Sequence, residues 1–201
     1  MHPNSAFRWD DRDALRAFAR EVGFGMLFAA TPDGPRVAHL PFVFLGDDRI
    51  AFHTARGNGI AKHLGGTEAL FVVNGPDAYI SPDWYGLGND QVPTWNYLAL
   101  EMQGQVRRMS DEELTAQADA LTSEQEGRLA PKPEWTRHKM SDGLFDKMRG
   151  AITGFEMRVT AWRSTAKLGQ NKPAEARARV AEALEARGQN AMAHLMRNLA
   201  Q

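Results

Sequence analysis

The sequence has no cysteine among its 201 residues, which excludes disulfides, thiolate metal sites and thiol catalysis, and suits a reducing compartment. Long apolar runs are missing too. No stretch reaches the roughly 18 residues that cross a bilayer, and Met1-His-Pro-Asn-Ser-Ala-Phe-Arg-Trp-Asp10 lacks the apolar core of a secretion signal. These absences lead us to expect a soluble, cytoplasmic protein. There is no excess charge of either sign: 24 basic against 25 acidic residues give a formal net charge of −1, so no global field draws in nucleic acid or an anionic membrane. The dinucleotide fingerprint Gly-x-Gly-x-x-Gly, the P-loop and the Gly-x-Ser-x-Gly elbow are all absent. The histidines His2, His39, His53, His63, His138 and His194 show no HxxxH or HxH spacing, so no metal site is expected. Repeats and low-complexity tracts are also lacking.

What is present is a chain with 43% hydrophobic residues, enough for one sizeable core with a helical appendage. Residues 12–22 carry Leu15, Phe18, Ala19 and Val22 at helical spacing, with carboxylates before them and Gly23 after. The period then changes to that of strands. Residues 25–30 and 36–45 flank Thr31-Pro-Asp-Gly34 and predict a hairpin, and 49–54 a third strand. Asn58 is expected to cap a short helix over 58–64. Residues 68–74 predict a strongly apolar strand buried on both faces, and 98–106 and 152–162 two further strands. Ser110 with Glu113 forms a capping box that opens a helix over 110–126; a short helix is expected over 142–148, and helix broken near Gly188 over 174–200. Six strands with mostly short connections favour an antiparallel sheet closed into a small barrel. We expect one domain over 1–172 and a helical extension over 173–201 packed on it.

Two runs hold an unusual density of aromatic rings with polar handles: Gly75-Pro-Asp-Ala-Tyr-Ile-Ser-Pro-Asp-Trp-Tyr85 and Val92-Pro-Thr-Trp-Asn-Tyr97. Flat rings beside amides and hydroxyls suit a planar polar ligand, although an aromatic plug at the end of a barrel is the alternative. His53-Thr-Ala-Arg-Gly-Asn58 joins a strand end to a helix start and combines an arginine fork with helix amides, the makings of a phosphate site; a capped helix with a surface arginine is the alternative. Lys62 is placed one turn on, where it adds charge to the same anion. In His39-Leu40-Pro41-Phe42 the proline deletes a ladder hydrogen bond, so that strand offers its backbone either to a ligand or to solvent at a sheet edge with a buried histidine. Lys167-Leu-Gly-Gln-Asn-Lys172 groups two cations and two amides around a glycine, which fits phosphate or a polyhydroxyl chain.

Taken in order, these motifs closely resemble the PaiB family, described as FMN-binding negative transcriptional regulators, from the N-terminus to about Lys172. The resemblance implies a mainly β fold with added helices, an antiparallel split β-barrel like that of pyridoxamine phosphate oxidases and flavin reductases, with a helical C-terminal segment. It implies a homodimer with FMN in clefts between the subunits. In that arrangement His53, Thr54, Ala55, Arg56, Asn58 and Lys62 hold the phosphate, and His39, Leu40 and Pro41 run along the isoalloxazine edge. Trp95, Asn96, Lys167, Gln170 and Asn171 close the pocket. Two positions depart from the family pattern: Gly169 stands where a serine is usual, and Glu101 where a histidine is usual. Two rival readings remain. One is a DNA-binding repressor using Arg177, Arg179, Arg187 and Arg197, diluted by Glu175, Glu182 and Glu185 and without a helix-turn-helix. The other is a haem protein with His39 or His194 as axial ligand.

Overall fold

In the computed structural model, which describes residues 2–198, the Thr31–Gly34 turn joins β1 (Phe24–Thr31) to β2 (Gly34–Phe44) in continuous register from Thr31↔Gly34 to Phe24↔Pro41. Thr31 Oγ1 closes the turn by donating to Gly34 O at 2.6 Å. β3 (Arg49–Ala55) pairs along its whole length with β6 (Ile152–Lys167), but with β2 only at Phe42–Phe44. With β4 (Glu68–Ile80) and β5 (Thr94–Arg108), the six strands run in the closed order β1-β2-β3-β6-β5-β4, and β1 returns to β4 at Met26–Phe28. The antiparallel sheet with added helices is therefore as expected.

β4, β5 and β6 extend furthest beyond the predicted ranges. Ala78 and Ile80 continue the buried positions of β4 around exposed Tyr79, while Asn96, Leu98 and Leu100 start those of β5 before residue 98. β6 runs on to Lys167, ending on buried Thr165 and Ala166. The aromatic runs are thus partly strand, the first of them ending in the 3-10 turn Pro82–Tyr85. β4 is also not buried on both faces: Ala69, Phe71 and Val73 are buried, whereas Leu70 and Val72 are half-buried.

The chain divides into two compact units. One contains residues 17–73 and 101–162 and holds parts of all six strands. At its centre the rings of Phe42 and Phe71 lie 4.9 Å apart, Phe71 and Phe52 5.8 Å, and Phe52 and Phe155 6.0 Å. Burying each ring contributes about 1.5–3 kcal/mol, and edge and offset contacts add to that. β5 and β6 approach closely at Gly104, where a Cβ would come within 2.1 Å of Arg158 O, so only glycine fits. α3 (Asp111–Gly127) begins with both halves of the Ser110–Glu113 capping box. α2 (Ala61–Leu64) has four residues, and α4 (Leu144–Arg149) six.

The other unit contains residues up to 16, 74–100 and from 163 onward. α1 (Arg12–Val22) begins in it. α5 (Ala174–Glu185) and α6 (Asn190–Asn198) pack together through buried Val180, Leu184, Met192 and Met196, with Gly188 between them. α5 also packs on the Pro82–Tyr85 turn, where Arg179 Nε donates to Tyr85 O at 3.0 Å. The helix expected at residues 199 and 200 lies outside the described residues. Among those described, no helix is long and apolar enough to cross a membrane.

Candidate functional site

In the unit built around the Phe42 cluster, the expected phosphate turn follows directly from β3. Arg56 N donates to Ala151 O at 2.9 Å and Arg56 Nε to Ile152 O at 3.2 Å. This anchors the base of the guanidinium and leaves its two terminal nitrogens without a partner among the described residues. Lys62 is exposed on α2, also without one. Thr54 is buried, with its hydroxyl donating to Ala55 O at 3.2 Å. Asn58 does not cap the helix. Its Oδ1 accepts from Ile60 N at 3.2 Å, and Ile60, already in helical backbone geometry, precedes Ala61. Asn58 therefore shapes the turn. A helix of one turn contributes little axial field, so anion attraction here rests on the Arg56 and Lys62 side chains.

The ladder explains where the His39 segment goes. Beyond Phe42↔Phe52 the same register would set Pro41, Leu40 and His39 against His53, Thr54 and Ala55. Pairing stops at Phe42 instead, and His53–Ala55 continue only with Gly154–Ile152 of β6. Pro41 stands at that parting, where its missing N–H costs the ladder nothing. The flavin-edge and phosphate segments thus flank one place where two strands separate. Leu40 is buried, and His39 is exposed on the outer face, contrary to the buried histidine weighed from sequence.

One residue next to this turn escaped the sequence reading. Gln117 on α3 is 1% exposed; its Oε1 lies 2.9 Å from His53 Nδ1, while its Nε2 has no partner. A buried donor left unpaired beside His53, near the end of β3, fits a group with oxygen acceptors. Only its position inside the firmly capped helix could have drawn attention to it.

The remaining predicted site residues lie in the other unit. Asn96, Lys167 and Asn171 line a cavity of about 240 Å³, together with Thr94, Tyr85 and Lys172. Trp95 is 54% exposed and meets Tyr79 edge-on at 6.2 Å. Gln170 uses its whole amide locally: Nε2 donates to Ala166 O at 2.6 Å, and Oε1 accepts from Leu168 N at 2.9 Å. It braces the turn that carries the lysines. Gly169 has φ +79°, the left-handed region in which a serine would be strained. The departure from the family serine therefore suits the backbone, whatever hydroxyl is lost. Burial pushes the Tyr85 hydroxyl up and the Lys167 ammonium down from their ordinary pKa values. Glu101 is half-buried on β5. No cluster of potential metal ligands occurs among the described residues.

With this geometry in place, comparison with solved structures defines the fold class. The FAD and Heme binding protein from Mycobacterium smegmatis matches with a TM-score of 0.61 at 17% identity, over 81% of this chain and 74% of that one. The flavocytochrome Anf3 from Azotobacter vinelandii matches with a TM-score of 0.59 at 16% identity, over 83% and 72%. The family follows from sequence: residues 1–161 match the family described as "Putative FMN-binding domain", and the chain belongs to it, with FMN as its cofactor. The relative "Protease synthase and sporulation protein PAI 2" of Bacillus subtilis (strain 168) is 30% identical over 176 residues, 86% of this chain and 83% of its own. The resemblance to PaiB is thereby borne out. A yeast relative, "Uncharacterized protein YKL070W" of Saccharomyces cerevisiae, is 29% identical over 136 residues, 61% of this chain and 80% of its own.

Proposed function

We propose that this chain works as a PaiB-type split-barrel flavoprotein, a cytoplasmic homodimer that holds FMN through the Arg56–Lys62 turn and serves in negative control of transcription. The observation that carries the reading is the pair of cations Arg56 and Lys62 following β3 where it separates from β2, neither with a carboxylate partner among the described residues, and the unpaired Nε2 of Gln117, whose Oε1 meets His53 of the same β3 end. Arg56, braced by the carbonyl of Ile152, presents the open end of its fork to a phosphate, and Lys62 adds a second charge. Gln117 fixes His53 by taking Nδ1–H and turns its own N–H₂ to the anion. The outer edge of β2 from His39 to Pro41 supplies backbone groups to the ring edge. When bound, FMN supplies the redox chemistry, and the chain's own residues bind and orient it.

Support for the dimer comes from the outer face of three strands. Phe24, Met26 and Phe28 project from one side of β1, and the register sets Pro41, His39 and Val37 beside them on β2, and Val72 and Leu70 beside Met26 and Phe28 on β4. Phe24 is 49% exposed and Val37 45%. A contiguous apolar face of this kind calls for a cover, and a second copy would enclose His39 at the interface. Direct DNA binding by the C-terminal helices receives less support. Arg197 pairs with Glu185, Arg179 bonds Tyr85 O, Arg177 donates to Lys172 O at 3.0 Å, and Arg187 lies 5.9 Å from the Trp84 ring. Regulation by this chain is accordingly assigned to its flavin-bearing body. As a haem ligand His194 is poorly disposed, since both ring nitrogens lie 3.1 Å from Asn198 Nδ2.

The test is a fluorescence titration of FMN and riboflavin against wild-type and Arg56→Ala protein. FMN affinity should fall at least about tenfold in the variant, the scale of one lost charge-assisted hydrogen bond, with riboflavin binding unchanged. Equal FMN affinity in the two proteins would refute the phosphate assignment.

A further inference from the structure

We propose that α3 and the strap folded across it, residues 132–138, enclose a binding site for a free α-amino acid with a small apolar side chain. Its carboxylate meets the Arg137 fork, its ammonium meets the Glu134 carboxylate, and its side chain lies on the Trp135 ring. The site is a cavity of about 190 Å³ lined by these three residues and by Asp119, Thr122 and Ser123 of α3. That lies below the about 300–1,000 Å³ usual for drug-sized ligands, so it suits a small metabolite.

The cavity is held open by the way the strap is tied down. Asp119, Thr122, Ser123 and Glu126 recur at the spacing of one helical face, and Asp119 and Ser123 on it are exposed whereas Gln117 is buried. At one end of this face Glu126 Oε2 accepts from Trp135 N at 2.7 Å and from Lys132 Nζ. At the other, Asp119 accepts Arg137 Nε on both oxygens, at 2.9 and 3.0 Å. Between the two ties the hydroxyls of Thr122 and Ser123 have no hydrogen-bond partner among the described residues. A loop fixed at both ends before a ligand arrives lowers the cost of ordering it on binding.

Charge specifies a zwitterion. Arg137 spends Nε on Asp119, and its guanidinium carbon lies over the Phe145 ring, 5.1 Å from the centre. Its two terminal nitrogens have no hydrogen-bond partner among the described residues. The same is true of the Glu134 carboxylate, since Lys139 Nζ donates at 2.8 Å to the backbone carbonyl of Glu134 instead. An open arginine fork and a free carboxylate thus line one cavity. A simple anion would leave Glu134 facing it, and a simple amine would bring positive charge to the fork. An α-amino acid offers a carboxylate to one and an ammonium to the other. Trp135, 40% exposed, supplies the apolar ring for its side chain.

All of these groups lie in one unit, and none is used by the flavin assignment. The experiment is calorimetric titration of the full chain, with and without added FMN, using L-valine, 3-methylbutanoate and isobutylamine as probes. Valine should bind. The other two keep its branched skeleton but lack the ammonium and the carboxylate respectively, and each should bind at least about tenfold more weakly, the scale of one lost charge-assisted hydrogen bond. Glu134→Gln should weaken valine by a similar factor and leave 3-methylbutanoate unchanged, a pattern that a merely loosened strap would not give. Trp135→Ala, which keeps the backbone N–H that Glu126 holds, should weaken valine and 3-methylbutanoate alike. FMN affinity should stay at its wild-type value in both variants. No binding of valine, equal affinity for either analogue, or undiminished valine binding by Glu134→Gln would overturn the proposal. Protein that takes up valine but no FMN upholds this site while refuting the flavin reading; the opposite pattern does the reverse.

Discussion

Arg107 shows how single residues tie the strands of the Phe42 unit to its longest helix. One guanidinium serves two carboxylates, meeting Glu113 at 2.7 Å and Glu156 at 2.9 Å, while Arg49 approaches Glu156 at 3.6 Å. Glu156 is 7% exposed, so its charge depends on these partners. Arg107's hydrogen bond, with a second from Ser110 N, holds the Glu113 carboxyl at a pKa of about 2 instead of the ordinary 4.5. A depressed carboxylate stabilises the fold fully above its unfolded pKa and loses that contribution as pH falls through the folded one. Glu113→Gln should therefore melt below wild type above pH 4.5, with the gap closing as pH approaches 2. A gap that is constant over this range in thermal melts would contradict the pairing. Gly169 teaches a related lesson at this scale. Sequence shows that a hydroxyl is absent, but only the backbone angle of +79° shows why glycine suits the place.

Elements were legible where the signal is local. The capping box at Ser110 depends on two side chains three residues apart, and α3 starts there. Ser110→Ala removes the oxygen that accepts from Glu113 N at 3.2 Å. Losing a cap costs about 1 kcal/mol, so the melting temperature should drop by about 2–4 °C; an unchanged melting temperature would show the cap to be idle. The Pro-Asp-Gly hairpin was legible for the same reason. Strand ends were not: in β4 the buried positions shift from 69, 71 and 73 to 78 and 80 across the unburied stretch 74–77, and in β5 the alternation reaches back into the Thr94-Trp-Asn-Tyr97 run, whose rings suggest a loop. The parting of β2 from β3 after Phe42 depends on β6 taking the other edge of β3, a long-range choice that no local pattern records. Gln117 was invisible for the same reason: its importance comes from His53, 64 residues away in sequence.

At the scale of the molecule, sequence gave the antiparallel class and the family, because both depend on motif order and not on exact contacts. It could not show the division into two units, each assembled from separated segments. Nor could it show that β4, apolar at every position from Ala69 to Val73, turns one face to the core there and leaves the other half-buried. The dimer reading uses that face. Phe28 is 38% exposed, so if the proposed dimer uses this face, wild type should sediment as a dimer and Phe28→Glu should fold normally and sediment as a monomer. Dimerisation undiminished by the substitution would move the interface elsewhere.

The central claim is that this chain is a flavoprotein, and the most direct measurement is the visible absorption spectrum of purified protein, desalted after incubation with FMN. The account predicts the two flavin bands retained with the protein at one FMN per chain and no Soret band. Protein that emerges colourless, or that shows a Soret band in place of flavin, would contradict it.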